Sequence, residues 1–450
     1  MLLDGVLSQA ASGLNSITKQ LSVLSQNVAN ASTPGYVRES VGLSSATAGG
    51  DGLGVRSGVA MRVVDQALQD SVLAAGGQVA GGQVLKGALT AIDAASGTPG
   101  SGQDLPGLIG ALRDAFSTLG NDPSNGTQQR EVVDRAAALA GGVNGLGQAV
   151  SAERQAAQDG LRDDVAQANT ALGAVGTLSR QIIAARQRGE STADLEDQRD
   201  VAMGTVARLT GAKFLPQPNG DVLAVSGGTV LPLHDATGPL SLGSATLAPG
   251  STAPPVLLNG APALLPGGQI GARLQLRDVT LAGFQAGLDG FADGLAAGFM
   301  SAGLSLFTGP GGAVPAPGTA GFAQSVRVSP VVQSTPSQVR DGAGPPGQAG
   351  STALINTILN TALATGAGTL AGRAADLVAG TALQLTMVTR QVDTEVAVQG
   401  SLRTKLDAGT GVTVDTELAH MVQLQNAYGA NAKVIAAVQA MFAQLSASVQ

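Results

Sequence analysis

The chain contains no cysteine and no tryptophan, and aromatic residues make up only 2% of its 450 residues. The absence of cysteine excludes disulfide bonds, thiol catalysis and cysteine-ligated metal sites. It is compatible with a reducing cytosol or with an export route that carries unfolded protein. With so few aromatic side chains, the core must consist mainly of Leu, Val, Ile and Ala, which suits closely packed helices.

The chain also lacks a strong excess of either positive or negative charge. The chain has 32 acidic and 25 basic residues, a formal net charge of −7 and no basic clusters, which argues against nucleic acid as a main partner. No uncharged apolar run reaches the roughly 18 residues of a membrane-spanning helix. The first residues lack the basic and apolar regions of a secretory signal peptide, so we expect any export to use another route. The length predicts two to four domains.

The first segment carries an apolar heptad pattern. Its apolar residues alternate spacings of three and four, which predicts an amphipathic helix of about 33 Å. The helix should end at Asn30 and the Pro34-Gly35 pair, because these residues favour helix ends and turns. The stripe consists of Leu7, Ala10, Leu14, Ile17, Leu21, Leu24 and Val28.

A second amphipathic helix is predicted at the other end of the chain, opening at residues 412–416. Asp415 and Glu417 favour its positive N-terminus. Its predicted stripe is Leu418, Met421, Gln425, Tyr428, Ala432, Ile435, Val438, Phe442, Leu445 and Val449. Two complementary helices at opposite ends imply that the ends of the chain come together. The pattern alone is equally compatible with an internal pair and with a contact between subunits.

Helices are also predicted at 64–92, 105–119, 124–189, 192–209, 269–306, 351–364 and 369–405, and an extended or hairpin segment at 37–60. Ser191-x-x-Asp194 resembles a capping box, and residues 402–411 are predicted to break the helix before the last one. From Lys213 the pattern changes to strands around an Asn219-Gly220 turn, which predicts a small β region at 211–265.

These elements predict a mainly α fold: an elongated helical bundle with a terminal coiled coil of the N- and C-terminal helices and a small inserted β domain. We expect three nested domains. The terminal coiled-coil domain comprises 1–60 plus 406–450. The helical domain comprises 61–210 plus 266–405, and the small outer β domain comprises 211–265.

Charged residues cluster at 195–200. Paired carboxylates can perform acid–base chemistry. At these helical spacings, however, we interpret them as a solvated face with i,i+3 and i,i+4 pairs. The residues concerned are Glu196, Asp197, Arg199 and Asp200.

The two histidines, His234 and His420, are interpreted as surface or boundary residues. Asp235 follows His234 directly, and adjacent residues of a strand point to opposite faces, so the two cannot share a metal. Asn27 and Asn30 are interpreted as helix-stop residues that bond to their own backbone. We therefore expect no catalytic, cofactor or metal site.

Both ends resemble one protein family. The first segment resembles the N-terminal signature of bacterial flagellar axial proteins, the superfamily of rod, hook and hook-associated proteins. The similar residues run from Ala11-Ser12-Gly13-Leu14 through Ser25-Gln26-Asn27-Val28-Ala29-Asn30-Ala31-Ser32-Thr33-Pro34-Gly35-Tyr36. Residues 414–419 and 430–435 resemble its C-terminal signature. The internal segments 52–55, 62–66, 195–200, 268–271, 276–278 and 303–309 are similar to those of the hook-associated members.

The resemblance implies a structural, non-enzymatic protein that polymerises on the flagellar hook, joins it to the filament and is needed for filament assembly. In this family the terminal helices line a tube and pack between subunits. The implied N-terminal assembly residues are Leu7, Leu14, Ile17, Leu21, Leu24, Val28 and Tyr36. The implied assembly and chaperone-binding residues of the C-terminal helix are Leu418, Met421, Tyr428, Ile435, Phe442 and Leu445.

The implied partners are further copies of the chain, other axial proteins such as the hook protein and a second junction protein, and a chaperone of the flagellar type III export apparatus. No nucleic-acid or membrane partner is expected. The implied location is outside the cell, at the hook–filament junction of the flagellum. The terminal helices should order only on self-association or assembly, because a lone stripe has nothing to bury against.

Other functions remain open. The chain could be another axial protein, such as a rod, hook or second junction protein, although its internal segments argue against this. It could be a surface-displayed binding module, which a larger β domain with exposed grooves would support. An enzyme would need a cleft with convergent polar groups, for example a pocket around His234.

Overall fold

The computed structural model describes residues 2–48, 51–98, 100–235, 238–344, 350–366 and 368–448. It consists mainly of helices with small antiparallel sheets, which confirms the predicted mainly α class. Within these ranges, every helix is too short or too polar to cross a membrane.

The helices are α1 (Leu2–Asn30), α2 (Gln66–Ser96), α3 (Leu105–Asn121), α4 (Gly126–Arg188), α5 (Ala193–Thr210), α6 (Gly268–Gln275), α7 (Leu281–Ser301), α8 (Pro330–Ser334), α9 (Gln338–Asp341), α10 (Ala353–Asn360), α11 (Leu370–Thr410) and α12 (Val414–Ser448). The strands are β1 (Glu39–Ala48), β2 (Asp51–Arg62), β3 (Lys213–Pro216), β4 (Val222–Ser226), β5 (Thr229–Leu231), β6 (Leu240–Ser241), β7 (Leu257–Leu258), β8 (Ala261–Pro262), β9 (Phe307–Thr308) and β10 (Arg327–Val328). The sheets are β1–β2, β3–β4–β5, β6–β7–β8 and β9–β10.

The predicted N-terminal helix and the hairpin after it are confirmed. α1 ends at Asn30, whose carbonyl accepts a hydrogen bond from the Thr33 amide at 2.8 Å. Gly35 then turns the chain with a φ of 84°, a conformation that favours glycine. β1 and β2 pair in antiparallel register from Glu39↔Arg62 onward.

Two predictions about helix ends are wrong. The N-cap of α5 is Thr192, whose hydroxyl donates to the Glu196 carboxylate at 2.8 Å, so no Ser191–Asp194 capping box forms. The Ser191 hydroxyl donates instead to the Ala60 carbonyl at 3.1 Å. The predicted break at 402–411 is also wrong, because α11 continues to Thr410.

A π-helical turn, Leu276–Thr280, joins α6 to α7. The Leu281 amide donates to the Leu276 carbonyl, and both leucines are buried although they are five residues apart. This i to i+5 spacing inserts one residue into the helix. In this turn the Arg277 side chain points inward. Arg277 is 1% exposed, and its guanidinium donates to the Pro254 carbonyl at 3.1 Å.

One compact unit consists of residues 1–77, 167–239 and 396–450. It contains α1, the β1–β2 hairpin, α5, the β3–β4–β5 sheet and α12. The β3–β4–β5 sheet confirms the strands predicted around Asn219-Gly220. β4 alternates buried and half-buried residues, and Phe214 of β3 is 3% exposed.

The second compact unit consists of residues 78–166 and 240–395. Its core contains buried aliphatic side chains of α3, α4, α7 and α10. Three aromatic rings lie at the centre: the Phe116 and Phe299 centroids are 6.0 Å apart, and Phe299 meets Phe307 edge-on at 5.2 Å. Such edge contacts add to the stabilisation from burial.

The strands between 213 and 262 form two separate sheets. β3–β4–β5 belongs to the first unit and β6–β7–β8 to the second. The compact units therefore follow different boundaries from those of the three predicted domains, and the division into a terminal, a helical and an outer β domain stays a prediction.

Candidate assembly surface

α1 and α12 pack against each other in antiparallel orientation. Asn27, near the end of α1, donates from Nδ2 to Glu417 Oε2 at 3.4 Å, near the start of α12. Gly13 lies against Asn431, because a Cβ built on Gly13 would be 3.4 Å from Asn431 Oδ1. The two contacts are 14 residues apart along α1 and 14 residues apart along α12. They therefore belong to the same register of the helix pair. The prediction that the chain ends meet is confirmed.

The predicted stripe of α1 is largely covered within the chain. Ala10 and Ile17 are 5% and 8% exposed, and the remaining predicted members are half-buried: Leu7, Leu14, Leu21, Leu24 and Val28. Among the described side chains of this helix, the most enclosed is polar, since Asn27 is 1% exposed. A role for the stripe between subunits stays a prediction.

The face of α12 that meets α1 differs from its predicted stripe. Buried or half-buried positions recur every seven residues at Glu417, Leu424, Asn431 and Val438. Two of these residues, Glu417 and Asn431, are polar, and a stripe predicted from apolar residues does not include them. Among the predicted residues, Val438 is buried and Met421 and Ile435 are half-buried. The other described members are exposed: Leu418, Gln425, Tyr428, Ala432, Phe442 and Leu445. Val449 lies outside the described residues.

The remaining surface of α12 is rich in exposed apolar side chains, which we call the outer apolar set. Leu418 and Val422, one helical turn apart, are 45% and 56% exposed. The complete set is Val414, Leu418, Val422, Tyr428, Val434, Met441, Phe442 and Leu445. Exposed apolar surface is common at interaction sites, and a role of this set in assembly stays a prediction.

The β1–β2 hairpin adds a second exposed apolar surface. α1 covers the outer edge of β2, where the Val55 amide donates to the Ser12 hydroxyl at 3.1 Å. Covering a strand edge prevents unwanted pairing. The side chains of Leu43, Val55, Val59 and Met61 remain between 37% and 63% exposed.

A polar cluster, which we call the Asn27 cluster, joins the end of α1 to the start of α12. Asn27 bonds both backbone groups of Glu39, accepting from its amide at 3.0 Å and donating to its carbonyl at 2.9 Å. The Tyr36 hydroxyl donates to Asn27 Oδ1 at 2.8 Å. Arg38 Nε donates to Glu417 Oε1 at 2.6 Å. The cluster therefore consists of Asn27, Tyr36, Arg38, Glu39 and Glu417.

These bonds correct the interpretation of Asn27 as a helix stop. Its side chain holds the following strand instead of its own helix, whereas Asn30 does bond its own helix through the Gln26 carbonyl at 3.1 Å. Burial, followed by the nearby Glu39 carboxylate, raises the pKa of Tyr36. The Tyr36 hydroxyl is engaged within the chain, and its contact between subunits stays a prediction.

Arg62, at the end of β2, meets the acidic residues of α5. Its guanidinium pairs with Asp197 at 2.7 Å, with Asp200, and with Glu196 at 3.7 Å. Burial raises the pKa of Asp197 to about 6, although Arg62 opposes this shift. The interpretation of residues 195–200 as a solvated face is wrong, because Asp197 and Arg199 are 7% and 8% exposed.

Glu39 is a buried acid beside this pair. It is 4% exposed, and burial followed by the charges of Asp194 and Asp197 raises its pKa to about 7, with Arg62 opposing. Sequence reasoning missed Arg62 as the partner of α5. The available signal was the excess of acids over arginine at 194–200, which requires a cation from elsewhere in the chain.

His234 lies in a groove of about 690 Å³ beside β4 and β5. Its Nε2 is 3.0 Å from Asp221 Oδ2, and its Nδ1 is 3.2 Å from Arg180 Nη1. Partial burial raises the pKa of Asp221, but the hydrogen bonds from His234 and the Val222 amide outweigh it and hold that pKa below its ordinary value. His420 is exposed. Among the described residues, no cluster of three His, Asp or Glu side chains could hold a metal ion.

Three family models match the chain. Residues 89–304 match the flagellar hook-associated protein FlgK helical domain. Residues 405–448 match the C-terminal model of flagellar basal body rod FlgEFG proteins, and residues 7–36 match the flagella basal body rod protein model. These matches cover both terminal signatures and part of the helical region between them.

Among solved structures, the chain is similar to the flagellar hook junction protein FlgK from Burkholderia pseudomallei, with 25% sequence identity and a TM-score of 0.43. The similarity covers 54% of this chain and 45% of that protein, so it spans less than half of the longer relative. None of the curated proteins matches the chain.

Proposed function

Because residues 89–304 match the flagellar hook-associated protein FlgK helical domain, we propose that this chain belongs to that family and is a structural subunit of the junction between the flagellar hook and the filament. The observation that carries the proposal is the helical-domain match across residues 89–304. The terminal matches, at 7–36 and 405–448, support the wider class of axial proteins. The helical-domain match supports the hook-associated member of that class over a rod or hook protein.

The subunit polymerises through α12 and the β1–β2 hairpin. Both elements expose apolar side chains in the single chain, which is costly in water unless another surface covers them. Copies related by head-to-tail contacts build an open helical assembly. In such an assembly the outer apolar set of α12 becomes buried between neighbouring subunits, together with the part of the predicted α1 stripe that the chain itself leaves uncovered.

The partners are other axial proteins of the flagellum: the hook protein below and the second junction protein above. The chain reaches them through the flagellar type III apparatus, and a dedicated export chaperone covers the outer apolar set of α12 beforehand. Covering these side chains suppresses premature association. The final location is outside the cell, and the role is mechanical, without catalysis.

The test is deletion of the gene in the source bacterium, with the parent gene restored on a plasmid as control. Electron microscopy should show hooks without filaments, and unassembled filament protein should appear in the medium. Normal filaments would overturn the proposal. Loss of the hooks as well would assign the chain to the rod or hook.

A further inference from the structure

The apolar pattern of α12 leaves the register of the α1–α12 pair undetermined. The α1-facing positions Glu417, Leu424, Asn431 and Val438 are separated by seven residues each. A pair with heptad-spaced contacts can slip by seven residues and still bury most of its apolar surface. In a slipped pair, Gly13 would lie level with Leu424 or Val438 instead of Asn431.

The Asn27 cluster distinguishes these registers. Glu417 is 1% exposed, and its two carboxylate oxygens contact Asn27 and Arg38. Neither partner can follow a slip. Glu39 holds Asn27 through two backbone bonds, and the Arg38 amide donates to the Thr410 carbonyl at 2.8 Å.

A slip of seven residues would move Glu417 by about 10 Å along α1, away from both partners. A buried carboxylate without its partners is strongly disfavoured, whereas apolar side chains tolerate the exchange of one apolar neighbour for another. Buried polar residues at single heptad positions fix the register of coiled coils in this way, at a cost in stability.

We infer that Glu417 is the positioning residue that fixes the register of the two terminal helices, through Asn27 and Arg38. The role concerns the folded chain by itself and does not rest on the proposed junction function. Glu417 acts by making the slipped pairings unfavourable. The apolar contacts supply the attraction between the helices.

The test measures register directly in the full-length chain, which has no cysteine of its own. Gly13→Cys is combined with Asn431→Cys to report the native register, and with Leu424→Cys or Val438→Cys to report the two slips. Each pair is oxidised in dilute monomer, and the disulfide yields are compared. In the parent, the native pair should dominate.

Glu417→Leu should raise the ratio of slipped to native disulfide by about tenfold or more, because it removes the penalty on slipping. Glu417→Gln keeps a bond to Asn27 but loses the ion pair with Arg38, so it should give a smaller increase. The matched control is Asp415→Leu, an exposed acid on the same helix, which should leave the ratio at the parent value.

An unchanged ratio in Glu417→Leu, with circular dichroism showing an intact fold, would overturn the inference and assign the register to the apolar residues. If Glu417→Leu forms none of the three disulfides, the test rests on Glu417→Gln. A ratio of slipped to native disulfide above that of the parent supports the inference, and a ratio equal to that of the parent overturns it.

Discussion

Glu39 is a residue whose protonation depends strongly on the fold. Its pKa is raised from 4.5 to about 7, so the folded chain binds a proton that the unfolded chain has already lost between these pH values. The contribution of this proton to stability is complete below pH 4.5 and is lost as the pH rises through about 7. The ionised carboxylate therefore destabilises the fold at pH 8.

We predict that Glu39→Gln increases the free energy of unfolding at pH 8 by about 1 kcal/mol, after allowance for screening by solvent, and leaves it nearly unchanged at pH 4.5. Urea unfolding at both pH values checks this. Glu131→Gln, which alters an exposed pair with Arg135, is the matched control and should shift stability by only a few tenths of a kcal/mol. Equal stability of Glu39→Gln and the parent at pH 8 would contradict the prediction.

Arg62 is the cation on which the acidic residues of α5 depend. The side chains of Arg62 and Asp197 are 6% and 10% exposed. Arg62→Met should lower the free energy of unfolding by about 3 kcal/mol, because it leaves buried carboxylates without a partner. Thermal unfolding followed by circular dichroism measures the loss. Arg135→Met removes an exposed pair and should cost less than about 1 kcal/mol, so similar losses in both variants would refute the burial argument.

Among the elements, α12 carries the clearest division between a structural and an assembly face. Leu418→Glu with Val422→Glu should leave the unfolding temperature of the monomer nearly unchanged, because both side chains are exposed. The same double variant should abolish polymerisation, since it would bury two charges between subunits. Analytical ultracentrifugation and restoration of filaments in the deletion strain measure the two effects.

Ala419→Glu with Gln423→Glu is the control for added charge. These residues are exposed, lie one helical turn apart and about 100° around α12 from Leu418 and Val422, and are small or polar in the parent. The control should assemble like the parent. Equal assembly of both double variants would contradict the assembly role of Leu418 and Val422.

Elements whose signals are local in the sequence could be predicted. The three-four spacing and the Asn30 and Pro34-Gly35 stop located α1, and the Asn219-Gly220 turn located the β3–β4 hairpin. The π-helical turn was missed, because one inserted residue hardly disturbs the apolar periodicity around it. The inward face of α12 was only partly predicted, because it includes Glu417 and Asn431, whose burial depends on partners in α1 and the segment after it.

The contacts of the candidate surface depend on residues far apart in the sequence, and this limited their prediction. Asp197 lies 135 positions after Arg62, and Glu417 lies 379 positions after Arg38. Single-sequence patterns report the neighbours of a residue along one helix or strand. They therefore indicated the charged character of 195–200 correctly and its solvent exposure wrongly.

For the molecule as a whole, the structure predicts where a protease begins. Val438 is 2% exposed, but residues 439–447 are all exposed. Brief treatment with chymotrypsin should cleave first at Met441, Phe442 and Leu445 and leave a chain that retains Val438, as intact-mass measurement would show. Loss of all of α1 and α12 at the same rate would indicate instead that these helices order only on assembly.

The position of the two tyrosines has an optical consequence. Tyr36 and Tyr428 are the only tyrosines, the chain has no tryptophan, and both tyrosines belong to the unit that contains α1 and α12. The near-ultraviolet emission of the unlabelled protein therefore originates from the terminal segments, and the second unit contributes almost nothing. Tyr36→Phe leaves Tyr428 as a single intrinsic fluorophore on the outer surface of α12, so polymer growth can be followed in real time without a dye.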